Sequence, residues 1–230
     1  MFYSFLRGFI RVLLALINGH AKYLHREDLP DGPYILVGPH RTWFDPIYFA
    51  LGASPRKFSF MAKEELFQNP ILRWILNHAN AFPVNRDHPG PSVIKTPVRI
   101  LRQGDLSLII FPSGSRHSAE LKGGAAVIAK MAKVPLIPAV YQGPLTFKQL
   151  LTRKPVTVAY GQPITVDRKL KLDEAGQAQV EQQMQQAFDQ LDREIDPNFH
   201  YVDVTGEKRA AKAEKLAQTE EKAEKKLEKK

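Results

Sequence analysis

The sequence contains no cysteine, so disulfides, thiol catalysis and cysteine-ligated metal sites are all excluded, as suits a reducing compartment. It also lacks an uninterrupted apolar run of the roughly 20 residues that a spanning helix needs. The longest candidate, residues 1–18, is broken by Arg7 and Arg11. A signal peptide would carry its charge before the apolar run and a small-residue cleavage site after it. Here Asn18-Gly19-His20 is followed by Lys22, His25 and Arg26, which does not match. There is no Gly-x-Ser-x-Gly elbow of a serine hydrolase, because Pro112 stands before Ser113 and Arg116 follows Ser115. No recognised nucleic-acid module is present, which argues against a nucleic-acid binder. Negative charge is in short supply, with 24 acidic residues against 33 lysines and arginines and a formal net charge of +9. That balance implies an anionic partner: nucleic acid, anionic lipid or an acidic carrier protein.

At 230 residues the chain is long enough for one full core. Residues 1–18 read as a helix whose polar or small positions, Ser4, Arg7, Arg11, Ala15 and Asn18, form one narrow stripe. So wide an apolar face predicts an amphipathic helix lying in a membrane interface, aromatics at headgroup depth and arginines snorkelling; the alternative is a helix packed only on its own domain. The remainder predicts an α/β domain. Strand-like runs occur at 34–37, 56–61, 81–84, 106–111, 136–141 and 156–160. They alternate with helical patterns at 47–51, 64–77, 93–102, 125–133 and 173–195. Such alternation argues for a single domain with a mainly parallel central sheet flanked by helices. The expected organisation is a membrane-interfacial segment at 1–26, a catalytic domain at 27–206, and a solvated Lys/Glu/Ala tail at 207–230. The excess lysine of the tail would add weak attraction to an anionic membrane surface.

The stretch around which the chain is organised is His40-Arg41-Thr42-Trp43-Phe44-Asp45, in a strand-to-helix connection announced by Gly38-Pro39. Pro46 directly after Asp45 is the pattern of a helix start, with Asp at the cap and Pro at the first position. Asp45 therefore reads either as a cap or as a carboxylate that orients the imidazole of His40, and one residue can do both. An oriented imidazole keeps its second nitrogen free to take a proton from a hydroxyl. Two other loops follow strand-like runs and present functional side chains, Arg86 after Pro83-Val84-Asn85 and the segment Ser113 to Arg116. In an open α/β sheet ligands gather beyond the carboxyl ends of the strands, so three parallel runs would bring these loops to one crevice. Two arginines there favour an anionic substrate.

These blocks resemble, in order and over residues 34–141, the glycerolipid acyltransferase family, and within it the bacterial 1-acyl-glycerol-3-phosphate acyltransferases. The first block is His40 and Asp45 with four residues between them. The second is Pro83-Val84-Asn85-Arg86. The third, Phe-Pro-Glu-Gly-Thr-Arg-Ser in the family, is Phe111-Pro112-Ser113-Gly114-Ser115-Arg116-His117-Ser118 here, followed by Lys122-Gly123; Ser113 replaces the glutamate. The fourth is Val134-Pro135-Leu136-Ile137-Pro138-Ala139-Val140, which a plain strand framed by two prolines explains at least as well as substrate contact.

The resemblance implies transfer of a fatty acyl group from a thioester to the sn-2 hydroxyl of lysophosphatidate, with His40 as base and Asp45 as its orienting partner. Arg86 and Arg116 would hold the acceptor's phosphate, with Lys63 and Lys122 as secondary candidates, and backbone amides near Gly114-Ser115 would steady the oxyanion. No metal and no bound cofactor are expected. The co-substrate would be acyl-CoA or acyl carrier protein, and the enzyme would sit at the cytoplasmic face of the membrane as a peripheral or monotopic protein. Rival acceptors are glycerol 3-phosphate, another lysophospholipid or a glycolipid. Rival classes are a serine hydrolase using Ser113 or Ser115 and a non-catalytic membrane-binding protein.

Overall fold

The computed structural model describes residues 2–85, 90–113, 121 and 123–203. Chain contacts divide it into Met1–Phe199, which holds every helix and strand described below, and His200–Lys230. In the second unit only residues 200–203 are described, and they form neither helix nor strand. The expected tail at 207–230 lies outside the described residues.

The first unit is a three-layer α/β arrangement whose centre is the most apolar part of the sequence. Strands β1 (Lys22–Leu24), β2 (Ile35–Val37), β3 (Phe58–Lys63), β4 (Ala81–Val84), β5 (Ser107–Ile110), β6 (Leu136–Gln142) and β7 (Thr157–Tyr160) form one sheet. Its order is β1-β7-β6-β2-β5-β3-β4. Every pairing is parallel except β6 with β7. The three central strands are buried along their whole length, as strands covered on both faces must be.

Their side chains alternate between two cores, the period of two that a strand imposes. Ile35, Val37, Leu108 and Ile110 face one side, with α4 (Ser92–Gln103), α5 (Gly124–Ala132) and α7 (Glu174–Ile195). Leu36, Ile109, Ile137 and Tyr141 face the other, with α1 (Phe2–Asn18), α2 (Asp45–Gly52) and the short α6 (Phe147–Leu151). Helix ends follow their local sequence. The Asp173 side chain accepts from the Gly176 amide at the start of α7, and Gly104 takes the left-handed conformation, φ 85°, that closes α4.

Four details differ from the sequence expectations. Strand β1 and helix α6 are additional elements. Residues 64–77 do not form one helix; a 3-10 turn at Glu64–Phe67 precedes α3, Pro70–His78. Asn69 caps α3 by accepting from the Ile71 and Leu72 amides, and Pro70 sits in the first turn, where its missing N–H costs nothing. The α1 arginines do not snorkel outward. Arg7 Nη1 donates to the Pro55 and Arg56 carbonyls at 3.0 and 2.8 Å, and Arg11 Nη2 to the Leu51 carbonyl at 2.9 Å. They fasten α1 to the end of α2, while Leu14 is buried and Ile10 and Ile17 pack beside it. Among the described residues no helix is long and apolar enough to cross a membrane.

Candidate active site

The connection from β2 to α2 begins with a backbone approach that only glycine permits. A Cβ on Gly38 would stand 2.3 Å from the Ala139 carbonyl oxygen and 2.9 Å from the Phe49 ring. The chain therefore turns tightly over β6 and delivers His40 above the carboxyl edge of the sheet. Asp45 lies at the start of α2 and is fully buried.

Its side chain does not cap that helix, as the sequence had suggested; it reaches back into the loop. Oδ2 accepts from the Arg41 amide at 2.6 Å, the Thr42 amide at 2.9 Å and His40 Nδ1 at 3.1 Å. A carboxylate oxygen that collects backbone donors acts as an acceptor, so Nδ1 is the nitrogen that donates to it, and in the neutral imidazole the lone pair is then on Nε2. His40 is largely shielded, its side chain 18% exposed. The Phe111 ring stacks on it at 4.1 Å between centroids and 20° between planes, with Phe49 behind Phe111. The carboxylate thus fixes one edge of the imidazole and the phenyl ring one face.

A second set of contacts holds the loop from the other side. Arg41, also buried, forms a two-pronged pair with Asp192 of α7; its Nη1 reaches Asp192 Oδ1 at 2.7 Å and the Tyr141 carbonyl at 3.1 Å. Gln142 Nε2 donates to Asp192 Oδ1 at 3.0 Å, and the Phe199 ring lies 4.8 Å from the guanidinium carbon. Thr42 Oγ1 donates to the Leu145 carbonyl at 3.3 Å. Sequence reading missed this support. Arg41 was visible inside the motif, but a partner 151 residues away leaves no local signal.

Of the other candidates, Lys63 and the Phe111-Pro112-Ser113 segment lie at the expected edge. Val37 and Ile110 are register partners, so the loops carrying His40 and Ser113 leave the sheet side by side. Lys63 pairs with Val84 at the ends of β3 and β4, and its Nζ contacts Glu65 Oε1 at 2.6 Å. Pro112 and Ser113 are buried. Arg86, Gly114, Ser115, Arg116 and Lys122 lie outside the described residues. The Val134 to Val140 block is largely the central strand β6, whose residues are all buried.

The family model described as Acyltransferase matches residues 20–142, from just before β1 to the end of β6. The chain belongs to the acyltransferase family. It is 48% identical over 196 residues to a 1-acyl-sn-glycerol-3-phosphate acyltransferase of Streptococcus pneumoniae, an overlap covering 84% of this chain and 74% of that one. It is 41% identical over 165 residues to the protein of that name from Bacillus subtilis, covering 70% of this chain and 82% of the relative. The crystal structure of the 1-acyl-sn-glycerophosphate (LPA) acyltransferase, PlsC, from Thermotoga maritima superposes with a TM-score of 0.62. It covers 83% of this chain and 79% of that one at 19% identity, so the fold is shared. The expected acyltransferase family and the mainly parallel α/β sheet therefore both hold. The matched segment contains His40, Asp45, Phe111 and Gly38, the residues from which the site geometry above is built.

Proposed function

We propose that this acyltransferase moves a fatty acyl group from a thioester to the sn-2 hydroxyl of lysophosphatidate, giving phosphatidate. The observation that carries the reading is the Asp45 to His40 contact, with Nδ1 engaged at 3.1 Å and Nε2 left to accept. The names of the two bacterial relatives support the acceptor.

His40 Nε2 takes the hydroxyl proton as the oxygen attacks the thioester carbonyl carbon. Asp45 stabilises the imidazolium that forms, as the aspartate of a Ser-His-Asp triad does, with the lipid hydroxyl in the place of serine. The tetrahedral intermediate collapses, the carbon–sulfur bond breaks, and the imidazolium returns its proton to the departing thiolate. The products are phosphatidate and free thiol.

Arg86 and Arg116 grip the acceptor's phosphate through charge-assisted hydrogen bonds, assisted by Lys122 and Lys63. Fixing that end of the acceptor aims its hydroxyl at the thioester. The donor is acyl-CoA or acyl carrier protein, and no cofactor takes part. The enzyme works as a peripheral or monotopic protein at the cytoplasmic, anionic face of the membrane, reached through α1, whose exposed stripe includes Phe5, Phe9 and Leu16.

Purified protein given lysophosphatidate and an acyl thioester should release thiol and phosphatidate in equal amounts. A panel of glycerol 3-phosphate, other lysophospholipids and glycolipids tests the acceptor. Turnover of another acceptor with none of lysophosphatidate would overturn the reading.

A further inference from the structure

Most of the large exposed apolar side chains of the described residues gather on three helices and on the catalytic loop; Leu66, Met131 and Val202 lie elsewhere. On α1 the stripe Phe5, Phe9, Val12, Leu13 and Leu16 faces away from the core. Helix α3 has no buried residue at all, and Ile71, Leu72, Trp74 and Ile75 are all exposed. Helix α6 presents Phe147 and Leu151, and the catalytic loop presents Trp43, 60% exposed.

These patches are joined. The Phe2 ring meets Trp74 edge-on at 5.0 Å and His78 at 5.1 Å, linking the start of α1 to α3. At the other end of α1, Asn18 Nδ2 donates to the Lys154 carbonyl, and the Leu16 carbonyl accepts from Arg153; both partners follow α6 directly. From α6, Phe147 packs edge-on against Phe44 of the catalytic loop at 5.1 Å. Contacts therefore link the exposed apolar patches of α3, α1 and α6 in sequence, and reach the loop that carries His40 at Phe44.

We infer that these linked patches form one face that docks on an anionic bilayer, with α3 as a second anchor beside α1 and the Trp43–Phe147 corner as the side on which the lipid acceptor enters. The occupant follows from composition and charge. Helices α1, α3 and α6 contain no aspartate or glutamate; Arg7 and Arg11 are taken up by the end of α2, and the exposed charges that remain, Arg73 of α3 and Lys148 of α6, are both positive. Exposed Arg153 and Lys154 adjoin α6. Apolar side chains bordered by lysine and arginine, with no carboxylate on these helices, suit anionic headgroups over acyl chains. The chain's own residues 207–230 cannot cover such a face, since apart from alanines their apolar residues are Leu216 and Leu227. The entry side rests on the proposed lipid acceptor; the docking face does not.

The chain has two tryptophans, Trp43 and Trp74, and both lie on this face. Trp43→Phe leaves Trp74 as the sole emitter on α3. Mixed with phosphatidylglycerol–phosphatidylcholine vesicles carrying brominated acyl chains, this variant should show blue-shifted and quenched Trp74 emission. Omitting phosphatidylglycerol or raising salt should weaken binding severalfold. The triple change I71S/L72S/I75S should lower vesicle partitioning by at least about tenfold with an unchanged circular dichroism spectrum. It should reduce turnover of vesicle-borne lysophosphatidate and spare the detergent-dispersed acceptor.

Vesicle binding needs no turnover, so its outcome stands apart from that of the proposed activity. If the triple variant fails to fold, the Trp74 quenching decides alone. Protein that floats with vesicles while Trp74 stays unquenched would overturn the inference, because α1 would then dock alone. Failure to bind vesicles would overturn it as well. So would a doubled sedimentation mass with shielded Trp74 in the absence of lipid, which would make this a face between two copies of the chain.

Discussion

Replacing Asp45 by Asn separates the charge of the carboxylate from its geometry. Oδ2 serves three donors, whereas Oδ1 is buried and has no hydrogen-bond partner among the described residues. Asn can therefore place its carbonyl oxygen where Oδ2 stood and its amide nitrogen where Oδ1 stood, keeping the loop and the imidazole tautomer. What is lost is the negative charge facing the imidazolium as it forms. Two unit charges about 4 Å apart interact by roughly 4 kcal/mol at an effective dielectric constant near 20. Proton transfer is only partial in the transition state, so the expected loss is about 2–4 kcal/mol, a fall of roughly 30- to 1,000-fold in kcat. The two backbone hydrogen bonds pass from charge-assisted to neutral, at a cost of about 1 kcal/mol each. For a chain of this size that lowers Tm by roughly 4–8 °C, and the protein stays folded under assay. Thiol release at saturating acceptor, measured beside His40→Ala and a thermal melt, tests this. Wild-type kcat in Asp45→Asn would refute the electrostatic role. A loss equal to that of His40→Ala would show that geometry had collapsed with the charge.

Gly38→Ala forces a methyl group against the Ala139 carbonyl and the Phe49 ring; overpacking should cost about 1–3 kcal/mol, seen as a lowered Tm together with lowered kcat. Asp192→Ala deprives buried Arg41 of its carboxylate and should cost about 3–5 kcal/mol; the double change with Arg41→Met should recover much of the melting temperature while activity stays low. Burial pushes the Tyr23 hydroxyl up to about 12 and raises Tyr3, Tyr34, Tyr48, Tyr141 and Tyr160 as well. Unfolded tyrosines ionise near about pH 10, so above that pH the unfolded chain gives up protons that the fold retains. Stability should be indifferent to these groups below about pH 10 and fall above it, with phenolate absorbance rising together with the loss of circular dichroism.

Where one physical signal dominates, the chain's own residues announced the structure. Strands β2, β5 and β6 lie in predominantly apolar runs and read as strands, the run holding β5 as one buried on both faces. Strand β1 did not, since Lys22-Tyr23-Leu24 is short and partly exposed and takes its place by pairing with β7. Helix α6, at five residues, is too short for a periodic pattern. Arg7 and Arg11 looked like snorkelling charges because the carbonyls they bind belong to residues 51–56 and are invisible in a helical wheel. At the site, the spacing of His40 and Asp45 was legible, but the direction of the Asp45 side chain was not, since capping and loop-bracing share one sequence signature. The stacking of Phe111 on His40 depends on the adjacency of β2 and β5, which no local pattern encodes.

The Arg41–Asp192 pair also sets an order in time. The ribosome delivers the catalytic loop first and its brace 151 residues later, roughly 8–30 s at ordinary elongation rates. Through that interval the nascent chain carries His40 and Asp45 without the contact that clamps their loop. A chain interrupted before Asp192 would carry the whole motif by which the family is recognised and yet hold it unbraced. Bracing of the catalytic loop thus waits until α7 has been made and folded.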